Sequence, residues 1–338
     1  MSSRYALLFF LIVASVPGSV ACGTSEPPGD PVLVDGSSTV LPFAEAAAGE
    51  YLRKHPTRTV RVTLSSTGVG LRRFCAGELD IADASRHITP QEIAACQATG
   101  VEFLEIPIAY DAISVVVNRA NTWATSMTTA ELRALWEPAA DGTVTKWSQV
   151  RKDWPDREIH LVGPDDESGT FDYFNEVISG APKASRKDYS PHVDDNEIIS
   201  AVEADEDALA YVGFTYYEQQ EERLDAVAID DLDEQIGPGP IEPTLTNVQR
   251  GVYRPLSRPL FVYVRKSALD RPEVASFADY FVRFATEMVQ RAGGAPLTSR
   301  ESELALKRFT DRVTGTMYAN PDEGPDVSLQ MRLSRDGQ

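Results

Sequence analysis

From Pro31 onward, short apolar runs alternate with segments whose apolar positions recur at helical spacing, which predicts strands and helices in turn. PVLVDG (31–36) reads as a buried strand and residues 41–55 as a helix. TVRVTLS (59–65) alternates as a strand, GVGLRRFCAG (68–77) is a short helix closed by Gly77, and LDIADAS (79–85) is the next strand. TPQEIAACQATG (89–100) has a Thr cap, Pro at the first helical position and a Gly stop. VEFLEIPIAY (101–110) and AISVVVN (112–118) read as two further strands. This βαβαβ order predicts an α/β fold with a mostly parallel sheet and helices on both faces.

After Asn118 the texture becomes Trp-rich and punctuated by Thr and Pro. REIHLVGP (157–164) reads as a strand, 168–178 as a helix, 194–214 as a helix and a strand, and 237–243 as a loop. RPLFVYV (258–264) is a strand, followed by one long amphipathic helix over 272–291. The polar tail, 320–338, is expected to be disordered. A chain of 338 residues suggests two domains. Residues 31–117 with 259–319 are expected to form lobe I and 118–258 lobe II, joined by two crossings near Asn118 and Arg258.

The start of the chain changes the picture. Residues 1–21 hold one basic residue, Arg4, then an apolar run too short to span a bilayer comfortably, which reads as a secretory signal. Ser19-Val20-Ala21-Cys22 resembles a bacterial lipobox with Ser in place of the usual Leu, so Cys22 is the expected lipidation site and 22–30 a tether. Plain signal cleavage, with Cys22 a passenger, is the alternative. Export permits disulfides, and Cys75 and Cys96 are then the expected pair, two buried free thiols being the alternative. Apolar content of 42% allows a sizeable core, and the net charge of -19 argues against nucleic acid and against a basic face for acidic lipids. Small anions stay open, because hydroxyls and backbone N–H groups bind them without net positive charge.

One local pattern occurs three times: an apolar strand, a Ser/Thr/Gly turn, then a helix. The cases are VLVDGSSTV, VTLSSTGVG and HLVGPDDESGT. In each, hydroxyls fall where the first helical N–H groups lack intrahelical partners. Singly, each reads as an N-cap. Three of them after sheet strands, where ligand crevices form in open α/β sheets, suggest an oxyanion held between two lobes. The third is odd in carrying Asp165, Asp166 and Glu167 at its lip.

DGSSTVLPFAE, SSTGVGLRRFCAGELDIADASR, AYDAISVVVN, ESGTFDYF and ALAYVGFTYY, in this order, resemble the phosphate-binding proteins that serve bacterial phosphate ABC transporters. The resemblance runs over about residues 31–264. It implies a two-lobed periplasmic binding protein-like fold of type II, with mixed parallel sheets, flanking helices and a two-crossing hinge. Such a protein closes on inorganic phosphate and delivers it to a membrane permease; it is expected to act as a monomer without cofactor, metal or catalysis. The family's ligand positions fall on Thr39, Val40 through its N–H, Thr67, and Ser168, Gly169 and Thr170, with Ser38 an adjacent hydroxyl. Two charged positions depart. The best-known members have Arg where Pro164 stands, and Asp where Ser85 stands, so Ser85 is the candidate ligand residue at that position, while here Arg86 follows immediately.

Arg suits an enclosed phosphate because of its planar fork, so Arg86 is the candidate cation; a surface salt bridge with Asp83 is the alternative. Asp165 and Asp166 are then free to face solvent or brace Arg86. Asp111 is the candidate acceptor for the phosphate proton, or a structural residue at the hinge. A binder of another tetrahedral oxyanion or of a phosphate ester stays open, as does a phosphate-ester hydrolase using Ser168, although no general base is evident beside the hydroxyls. His55, His87, His160 and His192 lack metal-ligand spacing and read as surface residues. Trp123, Trp136, Trp147 and Trp154 read as the core of the middle domain.

Overall fold

The computed structural model describes residues 29–166, 168–233, 239–319 and 327–335. The expected signal segment, Cys22, most of the tether and Glu167 lie outside the described residues. The first apolar run forms β1 (Val32–Gly36), from which α1 (Leu41–Lys54) leads to β2 (Val60–Leu64) and α2 (Thr67–Cys75) to β3 (Ile81–Ala84). β2 and β3 lie parallel to β1 on its two sides, an arrangement that requires helical crossovers. α2 packs tightly on the end of β1 because the contact is glycine on glycine. A Cβ on Gly70 would stand 2.7 Å from Gly36 Cα, and one on Gly36, whose φ is +151°, would meet the Asp83 carbonyl oxygen at 2.1 Å. α3 (Pro90–Ala98) opens on a capping box in which Thr89 and Glu92 each satisfy the other's backbone N–H. The Cys75–Cys96 disulfide fastens α2 to α3.

The two apolar runs after α3 merge into one strand, β4 (Phe103–Asn118), buried along its length except at Asp111 and Asn118. The middle of the chain follows with β5 (Ser126–Thr128), α4 (Thr129–Trp136), α5 (Trp147–Val150), β6 (His160–Pro164) and α6 (Gly169–Ser179). Then come β7 (Ser190–His192), α7 (Asp195–Ala204), β8 (Ala208–Gly213), α8 (Phe214–Glu218), β9 (Leu224–Ala226), β10 (Ala228–Asp230) and α9 (Leu245–Gln249). Trp136 and Trp147 are fully buried in this part, Trp154 nearly so, and Trp123 packs edge-on against Trp147. The chain returns through β11 (Ser257–Arg265), α10 (Pro272–Arg283), α11 (Ala285–Arg291), β12 (Ala295–Pro296), α12 (Ser299–Thr310) and α13 (Leu329–Arg335).

The main sheet has the order β2-β1-β3-β11-β4-β8-β6-β7, with β9 and β12 also on β4. The βαβαβ order predicted a mostly parallel sheet; the sheet is instead mixed, because β11 inserts between β3 and β4, antiparallel to both, a pairing no local pattern reports. Up to Ala112, β4 pairs with β11; from Ile113 it pairs with β8 and β9. The change of partners falls between Ala112 and Ile113.

Two helices differ from expectation. The long helix breaks at Phe284 into α10 and α11, so that Phe277 and Phe281 on one and Met288 and Val289 on the other all reach the core. The tail is not uniformly disordered. Leu329 and Leu333, one helical turn apart, are buried where α13 packs on α12, an apolar pair hidden among polar neighbours. No helix among the described residues is long and apolar enough to cross a membrane.

Candidate functional site

Each of the three expected helix starts lies at the carboxyl end of a parallel strand: β1 into α1, β2 into α2, β6 into α6. Their positive dipole ends favour an anion. Locally they are built differently. At the first, the Ser37 N–H donates to the Asp83 carbonyl (3.0 Å) and Ser37 Oγ accepts from the Thr39 N–H (3.2 Å). No side chain caps α1, so the Ser38 and Thr39 hydroxyls are not consumed as caps, whereas the Val40 N–H donates to the Ser37 carbonyl at 3.2 Å.

At the second, Ser66 is the cap and accepts from the Val69 N–H. That leaves Thr67 Oγ1 to accept from the Ser85 N–H at 3.0 Å, with the Ser85 hydroxyl 3.1 Å away, which ties the start of α2 to the end of β3. At the third, Ser168 Oγ accepts from the Thr170 N–H at 3.2 Å.

The first and third starts abut. A Cβ on Gly169 would lie 2.8 Å from Ser38 Oγ and 3.1 Å from Thr39 Oγ1, so glycine is what lets α6 come this close to α1. Ser38, Thr39, Asp111, Gly169 and Thr170 line one cavity of about 240 Å³, together with Phe43, Tyr110, Phe214 and Tyr216. Thr67, Ser85 and Arg86 are grouped at the end of β3 and do not line that cavity. The Arg86 guanidinium lies 3.9 Å from where a Gly68 side chain would begin, which places it at the start of α2.

Arg86 is held by Glu92, not by Asp83. Its two terminal nitrogens donate to the two carboxylate oxygens, each at 2.9 Å, and one also donates to the His87 carbonyl at 3.1 Å. Hydrogen bonds donated to Glu92 raise the Arg86 pKa above its ordinary value. Burial would raise the pKa of Glu92, but hydrogen bonds from Arg86 and Thr89 outweigh it and hold the carboxyl low. Asp83 is buried beneath the first turn; burial, then the neighbouring charge of Asp35, push its pKa well up. Asp165 donates its N–H to the His192 carbonyl, and Asp166 is exposed.

Asp111 has a partner that the sequence did not indicate. Arg258, its register neighbour across β4 and β11, donates to it at 3.2 and 3.3 Å and lies 3.5 Å from the centre of the Tyr173 ring on α6. Burial raises the Asp111 pKa, and Arg258 opposes that shift without cancelling it. Arg258 and Asp111 are 147 residues apart, so no sequence signal joins them. Glu92 did have one, the Thr89-x-x-Glu92 spacing of a capping box.

His55, His87 and His160 are exposed and His192 is partly so, as expected of surface residues. The His87 ring stacks on Tyr318, and His160 and His192 contact Asp205 and Glu197. No group of His, Cys, Asp or Glu among the described residues is placed to hold a metal ion.

Residues 23–283 match the model of the PBP superfamily domain. The chain is 40% identical over 302 residues to Protein SphX of Synechocystis, covering 89% of this chain and 88% of that one. It is 32% identical over 307 residues to the phosphate-binding protein PstS of Staphylococcus aureus, covering 89% and 90%. The chain belongs to this family of binding proteins. Its periplasmic binding protein-like fold is shared with a crystal structure of a possible phosphate binding protein from Planctomyces limnophilus, with a TM-score of 0.78 and 40% identity over 85% of this chain and all of that one.

Proposed function

We propose that this protein captures inorganic phosphate between two lobes and delivers it to an ABC permease, without catalysis. The observation that carries the reading is the meeting of α1 and α6 at Gly169, which sets the Ser38, Thr39 and Thr170 hydroxyls around one cavity with Asp111. Helix N-termini supply N–H groups and positive dipole ends. In this reading Arg86, at the start of α2 and not in the lining of that cavity, supplies the fork-shaped cation when the lobes close on the ligand, and Thr67 and Ser85 hold its segment against α2. Asp111 accepts the proton of a hydrogenated phosphate, which sulfate lacks. The relatives named for phosphate binding support the same ligand.

The lobes part and close about the place where β4 exchanges β11 for β8. Lobe I is then 31–112 with the returning chain from Ser257, and lobe II the residues between. We further propose export, lipidation of Cys22, a membrane-anchored position facing the periplasm or cell exterior, and a monomeric state. The support is the basic and apolar start of the chain and the small residues before Cys22. Mass spectrometry of the mature protein should find lipid on Cys22; an unmodified Cys22, or a chain beginning beyond it, removes the anchor.

A cavity of about 240 Å³ is roomier than a bare phosphate needs, so a phosphate ester is the second reading. Calorimetry with phosphate, sulfate and a small phosphate monoester, plus an ester-hydrolysis assay on the same sample, tests both. Phosphate binding well above the other two, with no hydrolysis, is the expected result. Preference for the ester overturns the ligand, and turnover overturns the absence of catalysis.

A further inference from the structure

The orientation of Arg86 depends on contacts that begin far from it in sequence. One of its bonds goes to the His87 carbonyl, and His87 is held from outside its own segment. The His87 ring stacks on Tyr318, with centroids 4.4 Å apart and planes 12° from parallel. The Arg332 guanidinium, from α13, also lies over the Tyr318 ring, 4.5 Å from its centre. Tyr318 is fixed in turn: its ring meets Phe261 of β11 edge-on, and its N–H donates to Thr316, whose hydroxyl donates to the buried Glu105 of β4. Arg332 is itself buried to 7% exposure, which is unusual for arginine and commits it to this position.

We infer that α13 is a strap for the anion site, and that Tyr318 and Arg332 are positioning residues that set Arg86 through His87. The inference rests on Arg86 being the cation that faces phosphate. The charged groups around His87 are Arg86 on its own segment, Glu92 of α3 and Arg332 of α13. Burial of the ring first, then Arg86 and Arg332, holds its pKa below the ordinary value, while Glu92 works the other way. Removing Arg332 takes away one of the two cations and loosens the stack, so His87 then protonates at higher pH.

The test is phosphate calorimetry from about pH 5.5 to about pH 8.5, the range in which an ordinary histidine titrates. The proteins are wild type, Arg332→Ala, Arg332→Lys, Arg332→Met, Tyr318→Leu, Arg86→Ala and the Arg86→Ala/Arg332→Ala pair. Arg332→Ala should weaken phosphate by about threefold to tenfold at neutral and alkaline pH, the scale of a partly desolvated cation–π contact. Arg332→Lys should recover part of the loss, and Arg332→Met, which keeps an apolar stem on the ring, separates packing from charge. The affinity ratio of Arg332→Ala to wild type should approach one at the acid end, where a charged His87 supplies a cation beside Arg86. Taking the ratio cancels the titration of phosphate itself. The His87 pKa, read by NMR, should rise in Arg332→Ala, as removal of a nearby cation requires; the convergence of the affinity ratio as His87 titrates is the readout that a purely structural role would not move. With Arg86 already removed, Arg332→Ala should cost nothing further.

Wild-type affinity in both Arg332→Ala and Tyr318→Leu, while Arg86→Ala is weak, overturns the strap alone. Losses that multiply in the double variant overturn it as well. Wild-type affinity in Arg86→Ala overturns both the ligand role of Arg86 and the strap that acts through it.

Discussion

Two arginine–carboxylate pairs flank the candidate site, and they are built in opposite ways. Arg86 and Glu92 are six residues apart, and Glu92 is already placed by the cap of α3, so a bidentate pair forms within one stretch of chain. Arg258 and Asp111 meet only because β11 runs antiparallel to β4, and their longer bonds sit beneath Tyr173 of α6. The electrostatic outcome differs too: Glu92 is held below its ordinary pKa and Asp111 above it. The local pair holds the Arg86 guanidinium within its own stretch of chain, and the bond to the His87 carbonyl adds a link to distant segments. A pair at the place where the central strand changes partners feels both groups of strands, and is suited to coupling them.

The largest expected effect tests the first half of that contrast. Arg86→Ala should lose about 2–4 kcal/mol of phosphate binding, from lost charge-assisted hydrogen bonds and an uncompensated enclosed anion. Arg86→Lys should recover only part, because an ammonium cannot reproduce the fork. If Arg258→Ala costs more than Arg86→Ala in the same calorimetry, the roles of the two pairs are reversed.

Arg258→Ala itself should cost about 1–2 kcal/mol of phosphate binding through loss of the contact with Tyr173, and should appear mainly as faster release. Stopped-flow dissociation checks this, and an unchanged release rate would detach the pair from closure. Thr170→Ala should lose about 1 kcal/mol, the net worth of one neutral hydrogen bond. A loss larger than that of Arg86→Ala would move the main recognition from the cation to the hydroxyls.

The smallest effect, about 1 kcal/mol or less in stability, is a difference of sign. Glu92 has a lowered folded pKa, so its contribution is complete above the ordinary 4.5 and is lost as pH falls through the folded value. Glu92→Gln should therefore be less stable than wild type near neutrality and converge with it in acid. Asp111 has a raised folded pKa, so its contribution is complete below the ordinary 3.8 and is lost as pH rises through the folded value. Asp111→Asn should gain on wild type as pH climbs from that value. Thermal melts across the acid range that show the same sign for both variants would break the contrast.

Much of the local framework was legible in the chain. The strand–turn–helix pattern located all three helix starts, because a strand end followed by Ser, Thr and Gly is a matter of neighbouring residues. The Cys75–Cys96 disulfide was expected from counting cysteines in a chain read as exported. The sequence misplaced what depends on distant partners. Thr67, expected as a ligand hydroxyl, is drawn to Ser85 across the gap between two strands, while Ser66 caps α2. Arg86 had Asp83 as its nearest acid in sequence, but Asp83 is buried and points away from that role, and Glu92 takes it. The tail hid one helical turn of leucine spacing, which has meaning only where α12 offers a surface to bury it.

By itself, then, the sequence determined an α/β chain of a recognisable binding-protein type, with anion-favouring helix starts at strand ends, because propensity, capping and period act over a few residues. The tertiary structure alone decided that β11 divides β3 from β4, that Arg258 faces Asp111, that Tyr318 stacks on His87 and that Arg332 lies over Tyr318. Each of these is a contact between segments many residues apart, selected by which faces can be buried together once the strands have chosen their neighbours.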